Sequence, residues 1–142
     1  MTFGPDVLLE RLDALETAAN KPSRYLVALS GGLDSTVLAH ALAETRGQHG
    51  RPLLAIHVDH QLQDASSGWT DYCRELAGRF GIEFVAERVA VDTAGGSGVE
   101  AAAREARYAA LARHVGDGDW LLSAHHREDQ AETLLLNLIR GS

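Results

Sequence analysis

Short apolar runs alternate with helix-like segments along this chain of 142 residues. Four of the runs are typical of buried strands, and they cover residues 25–30, 53–58, 82–89 and 120–125. Parallel strands need long crossover connections, which are usually helices that cover the faces of the sheet. The alternation therefore predicts a three-layer α/β domain, with a parallel sheet, right-handed crossovers and helices on both faces.

The segments around these strands have helical spacing. The predicted helices begin near Pro5, run from Ser35 to about Arg46, and cover residues 66–79, 100–115 and 127–140. The stretch DTAGGSG is rich in glycine, which is typical of a loop. Open parallel sheets bind ligands at the carboxyl ends of their strands. The residues that directly follow each strand are therefore the candidates for a binding site.

The charge of the chain limits its partners. The formal net charge is -7 at pH 7, whereas domains that grip a polynucleotide are usually basic, because phosphate neutralisation supplies much of their affinity. We therefore expect any nucleic-acid substrate to be held mainly by another part of the protein. The length suits a single domain, and no linker or internal repeat is indicated.

Cysteine content and hydropathy exclude several other classes. Cys73 is the single cysteine, which excludes a disulfide within the chain and a CxxC metal or redox pair. No apolar stretch approaches the length of a membrane span, and the first residues lack the pattern of a signal peptide. A cytoplasmic location without membrane contact is expected.

The hexapeptide SGGLDS directly follows the first predicted strand. Gly31 and Gly32 allow backbone angles that other residues resist, and they let N–H groups converge on an anion. The following helix adds the positive end of its dipole. Ser30 and Ser35 add hydroxyl groups. The pattern favours a phosphate site, although it lacks the lysine of the GxxxxGKS/T loop.

Asp34 is unexpected beside a phosphate, because the two negative charges repel. Magnesium resolves this conflict, since Mg²⁺ is commonly held by one or two carboxylates together with phosphate oxygens. Asp34 is therefore a candidate magnesium ligand. The alternative is an ordinary tight turn in which Asp34 or Ser35 serves as the helix N-cap.

Histidines gather around the ends of the second and fourth strands. His57 and His60, with His125 and His126, suggest a zinc site. Zinc normally requires three or four ligands in convergent geometry, and neither a cysteine pair nor HExxH is present. Ordinary exposed histidines at polar strand ends explain the pattern as well.

Glu100, Arg104 and Arg107 have the spacing i, i+4 and i+7, so they share one side of a predicted helix. Solvated Glu–Arg pairs would explain this spacing. The preceding loop could also bring the first turns of the helix to the strand ends. Two guanidinium groups there would suit a triphosphate or an RNA backbone.

His125, Asp129 and Glu132 have the same spacing at the end of the fourth strand, on the predicted helix 127–140. Acids in a first turn complement the helix dipole, so part of this acidity is structural. The number of polar groups exceeds what capping needs. The acids could select a cationic substrate or join Asp34 around magnesium.

Four blocks of the sequence resemble a known family. SGGLDS, HVDHQLQ, EAAAREARY and AHHREDQAETLLLNLIRGS, in this order, look like the amino-terminal domain of the tRNA(Ile)-lysidine synthases, which are ATP pyrophosphatase (PP-loop) enzymes. SGGxDS is shared across PP-loop enzymes, whereas the later blocks are more specific. The resemblance covers about Tyr25 to Ser142. It implies a Rossmann-like fold of the adenine nucleotide alpha hydrolase type.

The resemblance implies a two-step ligation with ATP and magnesium. ATP would adenylate the wobble cytidine of an isoleucine tRNA with a CAU anticodon, and L-lysine would then displace AMP to leave lysidine. Another PP-loop enzyme that thiolates tRNA is one alternative, although the nearest thiolating enzymes carry cysteine pairs that Cys73 alone cannot supply. A non-catalytic adenine-nucleotide-binding module is the other alternative.

The resemblance also assigns roles by motif position. The implied nucleotide-binding residues are Ser30, Gly31, Gly32, Leu33, Asp34, Ser35, His57 and Asp59. The implied catalytic residues are Asp34, Arg104, Arg107, Asp129 and Glu132. Lysine would be received by His125, Asp129 and Glu132, and magnesium by Asp34, with Asp129 as a second candidate ligand.

This chain departs from the family pattern in places. Glu128 stands where the family usually has aspartate, which adds a methylene at the acidic turn, and HQLQ lacks a glycine and a basic residue often seen there. Family members continue with tRNA-binding domains. We therefore expect residues 1–142 to be an N-terminal ATP-binding domain truncated after Ser142, and a homodimer is compatible with this interpretation.

Overall fold

The computed structural model describes residues 4–18, 21–59, 66–90, 98–127 and 130–140; at 17–18, 66–67, 99–100, 125–127 and 130–140 it describes the backbone alone. The helices are α1 (Pro5–Ala18), α2 (Leu33–Glu44), α3 (Arg46–His49), α4 (Ser66–Phe80) and α5 (Val99–Ala112). The strands are β1 (Arg24–Ala28), β2 (Leu53–Asp59), β3 (Glu83–Arg88), β4 (Asp119–Arg127) and β5 (Gln130–Arg140). None of the described helices is long and apolar enough to cross a membrane.

One sheet holds all five strands, in the order β3-β2-β1-β4-β5. The first four strands are parallel, and Tyr25 in the central strand pairs with Leu53 on one side and with Trp120 on the other. The predicted parallel sheet is confirmed for these four strands. The predicted helices over the first 115 residues are confirmed as well, with boundaries that differ by a few residues. The loop expected at 92–98 lies outside the described residues except for Gly98.

The helix predicted over residues 127–140 is wrong. Residues 130–140 form β5, which pairs antiparallel with β4, so that Leu121 is opposite Ile139 and Leu122 is opposite Leu138. A leucine-rich run suits a buried helix and a buried strand almost equally. The outer edge of β4 decides between them, because its backbone N–H and C=O groups need partners and β5 supplies them.

The helices cover both faces of the sheet, as predicted. Tyr25, Val27 and Leu29 point into a large apolar cluster with α1, α2 and α4, whereas Leu26 points into a smaller cluster with α5. Right-handed crossovers explain this division. The chain steps from β1 to β3 in one direction through α2 and α4, and α5 carries it back in the other direction to β4.

The reversal of direction makes β1 the centre of the fold. Its neighbours are β2 and β4, and the crossover helices that lead to them lie on opposite faces of the sheet, α2 on one face and α5 on the other. Such a switch point opens a crevice at the carboxyl ends of the strands. The segment SGGLDS connects β1 to α2 at this point, so the fold places the predicted phosphate loop where parallel sheets bind ligands.

Candidate functional site

The backbone of the loop turns sharply at Gly31. Its φ angle is +95°, in the region that favours glycine. Gly32 is the N-cap of α2, with φ -76° and ψ 169°, so the predicted alternative of Asp34 or Ser35 as the N-cap is wrong. Glycine offers no capping side chain. No side-chain oxygen of the N-cap residue therefore bonds the first N–H groups of α2, and the positive end of the helix faces the loop.

Two serine hydroxyl groups close the loop. Ser35 is buried, and its Oγ accepts from the N–H of Ser30 at 3.1 Å and lies 3.0 Å from Ser30 Oγ. Ser35 Oγ also donates to the Gly32 carbonyl at 3.3 Å, and the Gly32 N–H donates to Ser30 Oγ at 3.3 Å. The carbonyl of Gly32 further accepts from the Thr36 hydroxyl at 2.8 Å. These bonds fix the loop before any ligand is present.

Leu33 and Asp34 begin α2 beside this loop. Leu33 is 76% exposed, which is unusual for leucine, and Asp34 is half-buried in the first helical turn. A carboxylate at this place suits magnesium, which takes the rest of its ligands from phosphate oxygens and water. Among the described residues, no group of three or more His, Cys, Asp and Glu side chains could hold a metal ion. A magnesium ion shared between Asp34 and phosphate does not require such a group.

His57 and Asp59 are buried at the end of β2. They are 5% and 4% exposed. His57 donates from Nδ1 to the Leu29 carbonyl at 2.9 Å. Asp59 lies 3.7 Å from Arg88 Nε, and its main-chain carbonyl accepts from the Val89 N–H. The nucleotide-binding role that the family resemblance implies for the two residues stays a prediction. The other three histidines of the suggested zinc cluster lie outside the described side chains.

The guanidinium groups of Arg104 and Arg107 both contact the ring of Tyr108. Both residues are exposed on α5, and their guanidinium carbons lie 5.6 and 5.3 Å from the centroid of the Tyr108 ring. Tyr108 packs against the smaller apolar cluster on the α5 side of the sheet. The ring thus gathers two positive charges on one surface. Their contact with a phosphate stays a prediction, since α2 and α5 cover opposite faces.

The acidic group predicted near the end of β4 is not described in its side chains. Asp129 lies outside the described residues, and the structure gives only the backbone of His125 and Glu132. His125 belongs to β4 and Glu132 to β5. The helical face inferred from their spacing is therefore wrong for His125 and Glu132, because both of these residues lie in strands. Their roles stay predictions.

Two aromatic residues near the loop were not predicted from the sequence. Trp69 and Tyr72 are 47% and 44% exposed on α4, with ring centroids 6.2 Å apart. Together with Gly31 and Gly68 they line an open cleft of about 580 Å³. The sequence offered one signal, namely two aromatic residues three positions apart on a predicted helix. The signal did not indicate that this helix packs against the glycine loop.

Cys73 lies one helical turn after Trp69 and is completely buried. Its Sγ donates weakly to the Leu29 carbonyl at 3.6 Å. Burial raises the pKa of the Cys73 thiol to about 11, so the sulfur stays protonated near neutral pH. The structure gives this residue a packing role beside the loop.

The family follows from the sequence profile. The profile of the PP-loop domain matches residues 7–142. This chain belongs to the PP-loop family. The segment 30–35, which the sequence predicts as the phosphate loop, lies at the switch point of the sheet and is called the PP-loop below. The sequence-based resemblance to this family is thereby confirmed.

Curated PP-loop relatives are much longer than this chain. The tRNA(Ile)-lysidine synthase of Alkalilimnicola ehrlichii is 48% identical over 140 residues, which cover 99% of this chain and 31% of that protein. The tRNA(Ile)-lysidine synthase of Pseudomonas syringae pv. tomato is 48% identical over 139 residues, which cover 97% of this chain and 30% of that protein. The chain thus spans less than a third of the length of these relatives.

Solved structures resemble the fold only weakly. A U34-tRNA thiolase from Methanococcus maripaludis aligns with a TM-score of 0.43 and 23% identity, over 59% of this chain and 30% of that one. The NMN synthetase from Francisella tularensis aligns with a TM-score of 0.41 and 22% identity, over 80% of this chain and 42% of that one.

Proposed function

We propose that this chain is the ATP-binding and adenylating domain of a tRNA(Ile)-lysidine synthase. The observation that carries the proposal is the 48% identity to two such synthases over almost the whole chain. The geometry of the PP-loop supports it, because Ser30–Ser35 forms a closed turn at the switch point, directly before α2. The sequence similarity supports the proposed substrate class, and the geometry of the loop supports the place proposed for ATP.

ATP binding follows from membership of the PP-loop family. The triphosphate lies against the backbone of Gly31 and Gly32 and the amino end of α2, where N–H groups and the helix dipole favour negative charge. Asp34 would hold magnesium at the same place, and when bound the ion neutralises charge on the departing pyrophosphate. The hydrogen bonds between Ser30 and Ser35 keep the loop ordered, so little ordering is needed when ATP binds.

The proposed reaction has two steps, an adenylation and a displacement by lysine. In the first, O2 of the wobble cytidine attacks the α-phosphorus of ATP, the bond to the β-phosphate breaks, and pyrophosphate leaves. In the second, the side-chain amine of lysine attacks C2, the C2–O2 bond breaks, and AMP leaves while the amine loses a proton. Arg104 and Arg107 face phosphate charge. His125, Asp129 and Glu132 receive lysine, and an acid there can accept the proton.

The tRNA is held mainly by the part of the protein beyond this domain. The chain has a net charge of -7 and spans about 30% of the length of its relatives. An acidic domain gains little from phosphate contacts. This domain therefore contributes the chemistry and the pocket for one nucleotide, whereas the affinity for tRNA comes from elsewhere.

Within the described part of the chain, the environment of Cys73 does not support the thiolating alternative. The single cysteine of the chain is buried, and its pKa is raised to about 11. Sulfur transfer through a cysteine requires an accessible thiolate. Cys73 does not provide one.

The test uses the full-length protein with ATP, radiolabelled lysine and a tRNA(Ile) transcript that carries a CAU anticodon. We expect release of AMP and pyrophosphate that depends on both lysine and tRNA, with label incorporated into the tRNA. The variant Asp34→Asn should reduce this rate at least about 100-fold, because it removes the proposed magnesium ligand. Asp71→Asn is the matched control, since Asp71 is an exposed carboxylate paired with Arg74 on α4. Formation of ADP would refute the proposal, and so would a rate of AMP formation that does not depend on lysine.

A further inference from the structure

The main-chain carbonyl of Leu29 lies where β1 ends and the PP-loop begins. Leu29 is 1% exposed, and its N–H group still bonds the Ile56 carbonyl of β2 at 2.9 Å. Its own carbonyl accepts from two side chains, His57 Nδ1 at 2.9 Å and Cys73 Sγ at 3.6 Å. A buried carbonyl needs a hydrogen-bond donor. These two side chains therefore replace the strand partner of the Leu29 carbonyl, so that the carbonyl stays hydrogen-bonded where the chain leaves the sheet.

His57 is the stronger of the two donors. An imidazole N–H is a better donor than a thiol, and its distance of 2.9 Å is that of a normal hydrogen bond. A carbonyl can only accept, so Nδ1 must carry a proton. The ring is 5% exposed and comes from β2. It ties the end of one strand to the body of the next.

The helix α4 holds the next part of the loop. Trp69 and Cys73 are one turn apart on the same helix. A Cβ atom added at Gly31 would lie 3.0 Å from Trp69 Cε3 and 3.3 Å from Cys73 Sγ. Among the described residues, a Cβ atom at Gly32 would meet only Ser30 Oγ, at an ordinary 3.6 Å. The first glycine of the pair is thus required by its packing against α4 and by its φ angle, whereas the second has room.

We propose that His57 is a positioning residue of the PP-loop, and that it acts through the Leu29 carbonyl together with the Trp69–Cys73 face of α4. The Leu29 carbonyl and the Ser30 N–H belong to one planar peptide group, so the direction of the carbonyl sets that of the Ser30 N–H. This N–H donates to Ser35 Oγ and so helps to hold the glycine N–H groups that follow. Loss of the bond from Nδ1 lets these groups move away from the positions that bind phosphate. A displacement of about 1 Å at such a site can cost as much as 100-fold. This inference rests on the proposed function only in placing ATP at the loop.

The first experiment compares two variants of the full-length protein. His57→Leu removes the donor and keeps an apolar side chain, whereas His57→Asn places an amide N–H close to the position of Nδ1. The dissociation constants of ATP and of inorganic pyrophosphate are measured by calorimetry, together with the KM for ATP, the KM for lysine and the Tm. We expect His57→Leu to raise the dissociation constants of ATP and of pyrophosphate about tenfold and to leave the KM for lysine unchanged. We expect His57→Asn to restore binding to within about threefold of the wild type.

The outcomes separate the possible roles of His57. Equal losses in both variants would overturn the proposal, because they would show that the ring itself contacts the ligand. A lower Tm with unchanged affinity for ATP and pyrophosphate would also overturn it, since His57 would then be only a part of the core. A wild-type protein that binds ATP but does not modify tRNA would refute the proposed function and leave this inference standing.

A second set of variants does not depend on His57. Gly31→Ala should lower the affinity for ATP at least tenfold. The double variant Gly31→Ala with Trp69→Ala should recover part of that affinity. Gly50→Ala is the control, because Gly50 also has a positive φ, +63°, but a Cβ there would have no atom of the described residues within 4 Å. We expect this control to keep the affinity of the wild type for ATP. Strictly additive effects of the Gly31 and Trp69 substitutions would overturn the role of α4.

Discussion

Arg24 and Asp119 face each other across β1 and β4 through two hydrogen bonds. Arg24 Nε donates to Asp119 Oδ1, and Arg24 Nη2 donates to Asp119 Oδ2, each at 3.0 Å. Asp119 is 5% exposed, and its Oδ2 also accepts from the Gly116 N–H at 2.8 Å. The pair joins the two strands at their amino ends. It therefore stabilises the central pairing of the sheet at the edge opposite the PP-loop.

This pair predicts a loss of stability in acid. Burial by itself raises the pKa of Asp119, but the hydrogen bonds from Arg24 and the Gly116 N–H outweigh it and hold the pKa below its ordinary value. A lowered folded-state pKa gives stability that is present above about pH 4 and lost as the pH falls through the folded value. We expect urea denaturation to show this loss in the wild type and a weaker one in Asp119→Asn.

At pH 7, Asp119→Asn should lower the free energy of unfolding by about 1–3 kcal/mol, because it leaves Arg24 without its bidentate partner. Asp71→Asn is the control, since Asp71 is 76% exposed and its ion pair with Arg74 is solvated. The control should change stability by less than about 0.5 kcal/mol. Equal effects of the two substitutions would contradict the role given to the Arg24–Asp119 pair.

The hydroxyl group of Tyr25 predicts a stabilising substitution. Tyr25 is completely buried against His49 and Trp120, and within the described part of the chain its hydroxyl has no hydrogen-bond partner of good geometry. Arg51 lies near enough to lower the pKa of this hydroxyl, but its Nε also lacks a partner of good geometry. Tyr25→Phe removes this unsatisfied group and keeps the ring. We expect the free energy of unfolding at pH 7 to stay equal or to rise by about 1 kcal/mol. A clear loss would show that the hydroxyl makes a bond that stabilises the fold.

Tyr25 also predicts a change in alkali. Burial raises the pKa of Tyr25 to about 12, whereas an unfolded tyrosine has a pKa of about 10. A raised folded-state pKa gives stability that is full below pH 10 and is lost as the pH rises toward 12. The difference in unfolding free energy between Tyr25→Phe and the wild type should therefore grow between pH 9 and 11.

The serine network of the PP-loop predicts unequal effects of two similar substitutions. Ser35→Ala removes the acceptor of the Ser30 N–H and should lower the free energy of unfolding by about 1–2 kcal/mol. Thr36→Ala also removes a bond to the Gly32 carbonyl, but that carbonyl keeps the Thr36 N–H at 3.1 Å. The loss in Thr36→Ala should therefore be smaller. Denaturant unfolding of both variants checks the order, and a reversed order would contradict the network.

Cys73 predicts slow thiol chemistry in the folded chain. Its sulfur is buried and its pKa is raised to about 11, and only the thiolate reacts rapidly with disulfide reagents. At pH 8, labelling of the native protein by such a reagent should be at least about 100-fold slower than labelling in concentrated urea. Mass spectrometry of the peptide that contains Cys73 measures both rates. Equal rates would show that the thiol is accessible beside the loop.

Several elements of this protein could be predicted from local sequence alone. The strands of the parallel sheet are short apolar runs, and the glycine pair could be placed at the end of the first one, because residue types with strong backbone preferences specify local structure. The run 127–140 could not be assigned in this way. Its leucines suit a helix as well as a strand, and the decision came from the unpaired edge of β4.

The support of the loop could not be read from the sequence either. Cys73 reaches the Leu29 carbonyl across 44 positions, and His57 reaches it across 28. Trp69 limits position 31 only because α4 packs beneath the loop. Sequence by itself determined which backbone angles each residue prefers, and so where the chain turns. Only the tertiary structure decided which distant donor completes each buried hydrogen bond, because that depends on strand register and helix packing.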